Sequence, residues 1–385
     1  MKRIGGLWPR ILEFDNLLLA WRRARRGKRN RSAVARFGLD LERNLFQLQE
    51  ELTSHRYRPG GYRQFEIYDR KARTISAAPF RDRVVHHALM NLVEPTLDSR
   101  FIHHCYACRR GRGVHAAAER AQHWVRRYRY ALKLDVSRYF PSIDHDIAKA
   151  KLARLIKDPD VLWLFGKIID SAPANKTPLA IFPGDDLVEL MQRRRGLPIG
   201  NLTSQFLGNL YLNDLDHHLY EHCGAQAYLR YVDDLILFGD NRRRLWTLRD
   251  EIDRFLAAER LQLHPHKQEI FRCRDGIDVL GYRVFAEQRR VRQGNGYRFR
   301  RRLRARAAAF ARGRCSLEDV RTSVAAWIGH VQHADSHGLR RAVLGAVSFV
   351  PGDARTNGPS RAPRRLVEQQ TEEPPFRQPQ QERAR

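Results

Sequence analysis

A chain of 385 residues is long for one packed domain and short for three, so two or three subdomains are expected. Its formal net charge of +28 exceeds what solubility asks for and points to a polyanionic partner, nucleic acid ahead of an anionic membrane surface. No apolar run approaches the roughly 18 residues that span a bilayer. Arg10, Glu13 and Asp15 interrupt any leader-like core, and the five cysteines fit reduced thiols, so a cytoplasmic protein without a membrane role is expected.

In chain order, Ile11, Phe14, Leu18 and Trp21 recur at helical spacing and are followed by the basic arm WRRARRGKRNR. Leu41, Leu45, Leu48 and Leu52 mark a second helix that YRPGG ends. QFEIYD and ARTISAAPF read as a strand hairpin, RDRVVHHALMNLVEPTL as a helix, and RYALKLDVSRYF as a strand ending in an acid. Residues 145–170 are expected to be helical and residues 171–195 to form an inserted loop. A long helix should follow RGLPIGN, then a hairpin at AYLRYVDDLILFG, a helix around RLWTLRDEIDRFLAAERL and short strands at IDVLGYRVF. From 289 to 306 arginines dominate without one acid. Ser316 and Asp319 then form a capping-box pattern opening a helix with Leu317, Val320, Val324, Trp327 and Val331 on one face. Helices mixed with antiparallel hairpins define an α+β organisation, and the composition of residues 349–385 predicts a disordered tail.

Asp233 and Asp234 sit at a hairpin turn between apolar runs, and Asp135 ends another apolar strand. Carboxylates held together repel unless one takes a proton or a cation comes between them. Mg²⁺ prefers oxygen ligands and is held by carboxylates together with substrate phosphates, and two such ions suit in-line phosphoryl displacement. Asp185 and Asp186 repeat the dipeptide in a Pro/Gly loop without strand flanks and are assigned no catalysis. Cys105 and Cys108 follow His103 and His104, but Cys223, Cys273 and Cys315 are scattered singly, so no zinc site is expected. The pairs His86–His87 and His217–His218 are read as helix residues and assigned no metal.

Tyr231-Val-Asp-Asp234 with Asp135 upstream resembles the catalytic core of reverse transcriptases. RTISAAPFRDR, YACRRGRGVHAA, LDVSRYFPSID, GLPIGNLTSQ, LQLHPHKQ and VLGYRVF accompany it in family order, covering residues 60–290. The resemblance implies a right-hand polymerase of fingers, palm and thumb, with an antiparallel palm sheet packed on helices. The expected divisions are a helical extension with a basic arm at 1–60, fingers and palm at 61–290, a basic helical thumb at 291–348 and the tail beyond. It implies Asp135, Asp233, Asp234 and the carbonyl of Val136 as ligands of two Mg²⁺ ions, with Mn²⁺ as a substitute. Lys267 matches a lysine that protonates the departing pyrophosphate. Arg73 and Arg81 match triphosphate-holding arginines, and Phe140 matches a ring that excludes a 2′-hydroxyl. Ile199, Gly200 and Gln205 fall in the block beside the incoming nucleotide.

GLPIGNLTSQ, with Ile199 ahead of Gly200 and Ser204–Gln205 after it, resembles the enzymes of diversity-generating retroelements. FDNLLLAWRRARRGKR and VAAWIGHVQHADSHGL extend that likeness across residues 5–345. It implies cDNA synthesis from a repeat RNA with errors at adenines, using dNTPs, a DNA or RNA primer and a small basic accessory protein. Antiphage-defence and group II intron or retron-like enzymes are the alternatives, and the chain length argues against a full intron-splicing protein. Arg109, Arg110 and Arg112 in RRGRG, Gly281 and Tyr282 in a primer-grip-like hairpin, and Arg300, Arg301, Arg302 and Arg304 are expected to hold nucleic acid.

Overall fold

The computed structural model describes residues 3–68, 72–173, 180–182 and 185–351, so the expected disordered tail lies almost wholly outside the described residues. Strands β1 (Arg63–Tyr68) and β2 (Ala72–Ala77) form an antiparallel hairpin. β3 (Tyr130–Val136), β4 (Tyr228–Tyr231), β5 (Asp234–Gly239) and β6 (Leu263–Arg272) form an antiparallel sheet in the order β4-β5-β3-β6. β7 (Ile277–Val279), β8 (Tyr282–Val284) and β9 (Arg289–Val291) form a small third sheet.

The four-stranded sheet is covered on both faces, which is why central strand β5 reads as a continuous apolar run, while its neighbour β3 carries Lys133 and Asp135 among its apolar residues. Leu132, Leu134, Val136, Leu235 and Leu237 enter the main core. Ala131, Leu229, Ile236 and Phe238 face a second core built with helix Val114–Val125 and the β7–β8 hairpin. The N-terminal helices are not a separate layer. Ile11, Leu17, Leu45 and Leu48 join the main core, and the Asn16 amide donates to the Ala88 carbonyl on helix Phe80–Leu97 at 3.1 Å. The packing is therefore continuous across residue 60.

Local signals explain the helix boundaries. The expected helical stretch 145–170 is two helices, His145–Leu155 and Pro159–Asp170, the first capped by the Asp144 carboxylate and the second opened by a proline. The long helix expected after Asn201 is broken into Leu202–Tyr211, Asn213–His217 and a π-helical turn, His218–His222. Within the expected inserted loop, Leu187–Gln192 is helical, while residues 174–179 and 183–184 lie outside the described residues. Helices Asn295–Ala311, Leu317–Val331 and His337–Leu344 share a third core, where Phe299 stacks on Trp327 at 4.3 Å between ring centroids. The Ser316–Asp319 capping box is formed, but Leu317, the first helical residue, is 53% exposed and does not join that core.

Candidate active site

The acids are brought together by strand pairing. Asp135 is the direct cross-strand partner of Asp234, and the Val136 amide donates to the Asp233 carbonyl at 3.1 Å. Directly opposed residues in an antiparallel pair share a face. The β4–β5 turn is tight enough to force Val232 to φ +58°, a left-handed conformation that costs a β-branched residue about 1–3 kcal/mol.

Arg230 holds that turn from behind. Its guanidinium donates to the Val232 carbonyl at 3.1 Å, to the Asn209 carbonyl at 3.0 Å and to both carboxylate oxygens of Asp216, the shortest bond being 2.6 Å. Arg230 and Asp216 are both fully buried, and Tyr228 donates its hydroxyl to the same carboxylate at 2.8 Å. The sequence reading missed this pair, although an arginine inside the apolar run AYLRYV was its visible signal.

In front of the turn lies a cleft of about 1060 Å³. Its lining includes Asp135, Val136, Asp233, Asp234, Arg73, Phe140, Ile199 and Lys267, which the sequence reading singled out together. It also includes Arg138, Arg193, Arg195, Arg260, Gln262 and His264, which that reading passed over. Burial first, then the charges of Asp234 and Asp135, push the Asp233 carboxyl up to about 6, with Lys267 opposing. Asp234 is raised by burial and Asp135 and lowered by Lys133 and Lys267.

The donor set fits a hard divalent cation: oxygen ligands only, in a place where negative charges raise one another's proton affinity. The oxygens of the three carboxylates do not all lie within 4.8 Å of one another, and Asp135 is paired with the ammonium of Lys267. Lys267 reaches it from a bulge. Where β3 advances two residues from Leu134 to Val136, β6 covers five from Gln268 back to Leu263, so the residues between are thrown out over Asp135.

Phe140 rests against helix Leu202–Tyr211 because position 208 is glycine. A Cβ there would stand 3.1 Å from Phe140 Cε1. Gly200 has φ +116°, and a Cβ there would lie 3.1 Å from Ile75 Cγ2. The Ile199 carbonyl accepts from the Ser76 amide at 3.0 Å, so this loop is tied to β2, the strand that carries Arg73.

Other expected site residues lie elsewhere. Arg81 is paired with Glu51 beside the Tyr57 ring and does not line the cleft. Gln205 is exposed but borders a small pocket with Cys108 and Arg109 instead of the cleft. Arg109 is not free for phosphate, since it donates to the Asp98 carboxylate at 2.7 Å and to the Ile102 and Cys105 carbonyls. Arg110 is exposed, while Arg112 donates to His103 at 3.0 Å. Tyr282 is fully buried, its hydroxyl 2.9 Å from His115 Nδ1 and donating to the His330 carbonyl, so it offers no face to a duplex. Gly281 is the turn before it, at φ +99°. Arg300, Arg301, Arg302 and Arg304 are exposed on helix Asn295–Ala311.

Residues 67–284, more than half of the chain, match the family described as reverse transcriptase (RNA-dependent DNA polymerase). The chain is similar to Protein YkfC of Escherichia coli (strain K12), 25% identical over 283 residues, which is 63% of this chain and 71% of that protein. It is also similar to Nuclear intron maturase 1, mitochondrial, of Arabidopsis thaliana, 33% identical over 85 residues, 22% of this chain and 12% of that protein. The chain belongs to the reverse transcriptase family and is a nucleotidyltransferase of the RNA-directed DNA polymerase class. Members of that class act on a nucleic-acid template and primer with nucleotide substrates, and they generally use divalent metal ions. No helix among the described residues is long and apolar enough to cross a membrane.

Proposed function

We propose that the chain copies RNA into DNA with dNTPs in the Asp135–Asp233–Asp234 cleft, as the polymerase of a diversity-generating retroelement. The observation that carries the catalytic part is the charge imbalance in the cleft. Asp233 and Asp234 form no ion pair among the described residues, and burial and mutual repulsion raise both. Such acids are costly to the fold and are retained where a bound cation compensates them.

Asp135, Asp233, Asp234 and the Val136 carbonyl are the groups that would hold two magnesium ions, with manganese as a substitute. When bound, the ions acidify the primer 3′-hydroxyl and balance charge on the triphosphate and the departing pyrophosphate. Arg73, at the cleft wall, receives triphosphate oxygens. Lys267, half exposed and beside Asp135, is positioned to give a proton to pyrophosphate as it leaves. Phe140, fixed by its contact with Gly208, lies under the sugar and clashes with a 2′-hydroxyl. In this reading the sheet β4-β5-β3-β6 is the palm, the β1–β2 hairpin belongs to the fingers, and the arginine-bearing helix Asn295–Ala311 belongs to the thumb and runs along the duplex.

Support for the diversity-generating part is the GLPIGNLTSQ block, with Ile199 at the cleft wall and anchored to β2. The reading places Ile199 near the templating base, where it influences errors at adenines, and takes a small basic protein as accessory partner. The test is primer extension on a defined RNA template with Mg²⁺, followed by sequencing of the cDNA. DNA product with errors concentrated at template adenines is expected, and Ile199→Asn should change that spectrum. Faithful copying at adenines would remove the retroelement assignment while leaving the polymerase standing; absence of any extension would remove both.

A further inference from the structure

A second place in the molecule gathers metal-ligating side chains, and it lies outside the cleft lining. Helix Asn213–His217 continues into the π-helical turn His218–His222. That turn closes with the Cys223 amide donating to the His218 carbonyl at 3.1 Å, five residues apart rather than four. The wider turn carries Cys223 round to the side of the His218 ring. Glu251, on the neighbouring helix Arg242–Ala258, has a carboxylate oxygen 2.8 Å from His218 Nε2. One ligand atom from each of His218, Cys223 and Glu251 lies within 4.8 Å of the other two, and all three residues are half-buried. Among the described residues no other trio of His, Cys, Asp or Glu is drawn so close.

We propose that His218, Cys223 and Glu251 form a site for a borderline transition-metal cation, with zinc as the expected occupant. Imidazole, thiolate and carboxylate are the donors zinc uses, at bond lengths of about 2.0–2.3 Å. Tetrahedral ligands at that range stand about 3.5 Å apart, so the side chains need only small shifts to close on an ion. A thiolate donor selects against magnesium and calcium, which distinguishes this site chemically from the all-oxygen cleft. The second carboxylate oxygen of Glu251 is engaged by Arg254, which leaves the oxygen facing His218 for the metal. His222, with its ring centroid 5.7 Å from that of His218, is one candidate for a fourth position, and water is the other. Binding displaces the Cys223 thiol proton to solvent and uses His218 as the neutral imidazole.

The consequence is mechanical. Helix Arg242–Ala258 buries Leu245, Leu248, Ile252 and Leu256 in the main core that also takes in β3 and β5. A metal at this site ties the π-helical turn to that helix without touching the reacting groups.

The test uses the full chain, loaded with zinc and desalted, with bound metal measured by elemental mass spectrometry. The cobalt-substituted protein is examined for a thiolate-to-cobalt absorption band. One retained zinc per chain is expected, persisting in Asp233→Asn, together with the cobalt band. Cys223→Ser should lose the band and weaken zinc binding by more than about tenfold, the scale set by disturbing even indirect supports of a metal site. Cys108→Ser, at an exposed cysteine elsewhere, should keep both. A wild-type cobalt spectrum without the thiolate band would overturn the proposal, and so would zinc affinity unchanged in both Cys223→Ser and Glu251→Gln. The wild-type spectrum decides the matter even where a variant fails to fold.

Discussion

The chain contains the dipeptide Asp-Asp at 185–186 and again at 233–234, and the two pairs are handled in opposite ways. Asp186 is exposed, and the buried Asp185 side chain meets Arg193 at 3.3 Å and Arg260 at 3.4 Å and accepts the Phe182 amide at 2.9 Å. Asp144, nearby, is supported in the same manner by Arg260 at 3.2 Å and by two helix amides. Asp233 and Asp234 have no such partners among the described residues, and their proton affinity rises. An acid the fold has neutralised is architecture. One it has left uncompensated is available to something that comes from outside. Composition does not separate the two cases; the neighbours do.

The largest contrast should appear in activity. Asp135→Asn or Asp233→Asn should lower primer extension by at least about 10³-fold, the scale of removing an electrostatic group from a reaction centre. Asp185→Asn should leave extension within a few-fold of the parent and show its defect as a lowered urea midpoint. Extension lost equally at both pairs would erase the distinction. Arg230→Leu, which strands the buried Asp216 carboxylate and frees the Val232 carbonyl, should cost about 3–5 kcal/mol in urea unfolding. Next in size, Phe140→Ala should narrow the preference for dNTPs over rNTPs by about 10- to 100-fold in single-turnover incorporation, a range typical of steric discrimination.

The smallest effect is a gain. Asp233 is raised in the folded state, so between about pH 4 and pH 6 the native chain holds more protons than the unfolded chain. Stability from this group is therefore greatest at low pH and declines as pH rises through about 6. Asp233→Asn should remove that decline and raise metal-free stability at neutral pH by about 1–3 kcal/mol, while abolishing activity. Thermal melts across that pH window, with a chelator present, check the sign. Unchanged stability would mean that the carboxylate is not under the strain described.

Much of this was legible in the residues. The alternation of Leu132, Leu134 and Val136 around Asp135 and the apolar run after Asp234 marked two strands, and pairing Asp135 with Asp234 needs only that those strands be neighbours. The Ser316–Asp319 box was readable because its partners are three residues apart. What escaped was non-local or irregular. LHPHKQEIFR has a proline and no clean alternation, so β6 did not read as a strand; Pro265 is tolerated because β6 is an edge. Arg109 looked like a phosphate ligand because nothing local announced Asp98, eleven residues away in the chain. Tyr282 looked like a grip residue until helices Val114–Val125 and Leu317–Val331 closed around its hydroxyl. The His217–His218 pair gave no hint of Glu251, which arrives from another helix.

The Arg230–Asp216 pair under the Val232 corner has one more implication. Because the clamp is sealed from solvent, ionic strength and the passing polymer should leave the aim of the carboxylates unchanged even as they alter everything lying against them. Substitutions along the outer wall of the trough are then free to revise which substrates are accepted, while the bearing on which the reaction turns stays where it is.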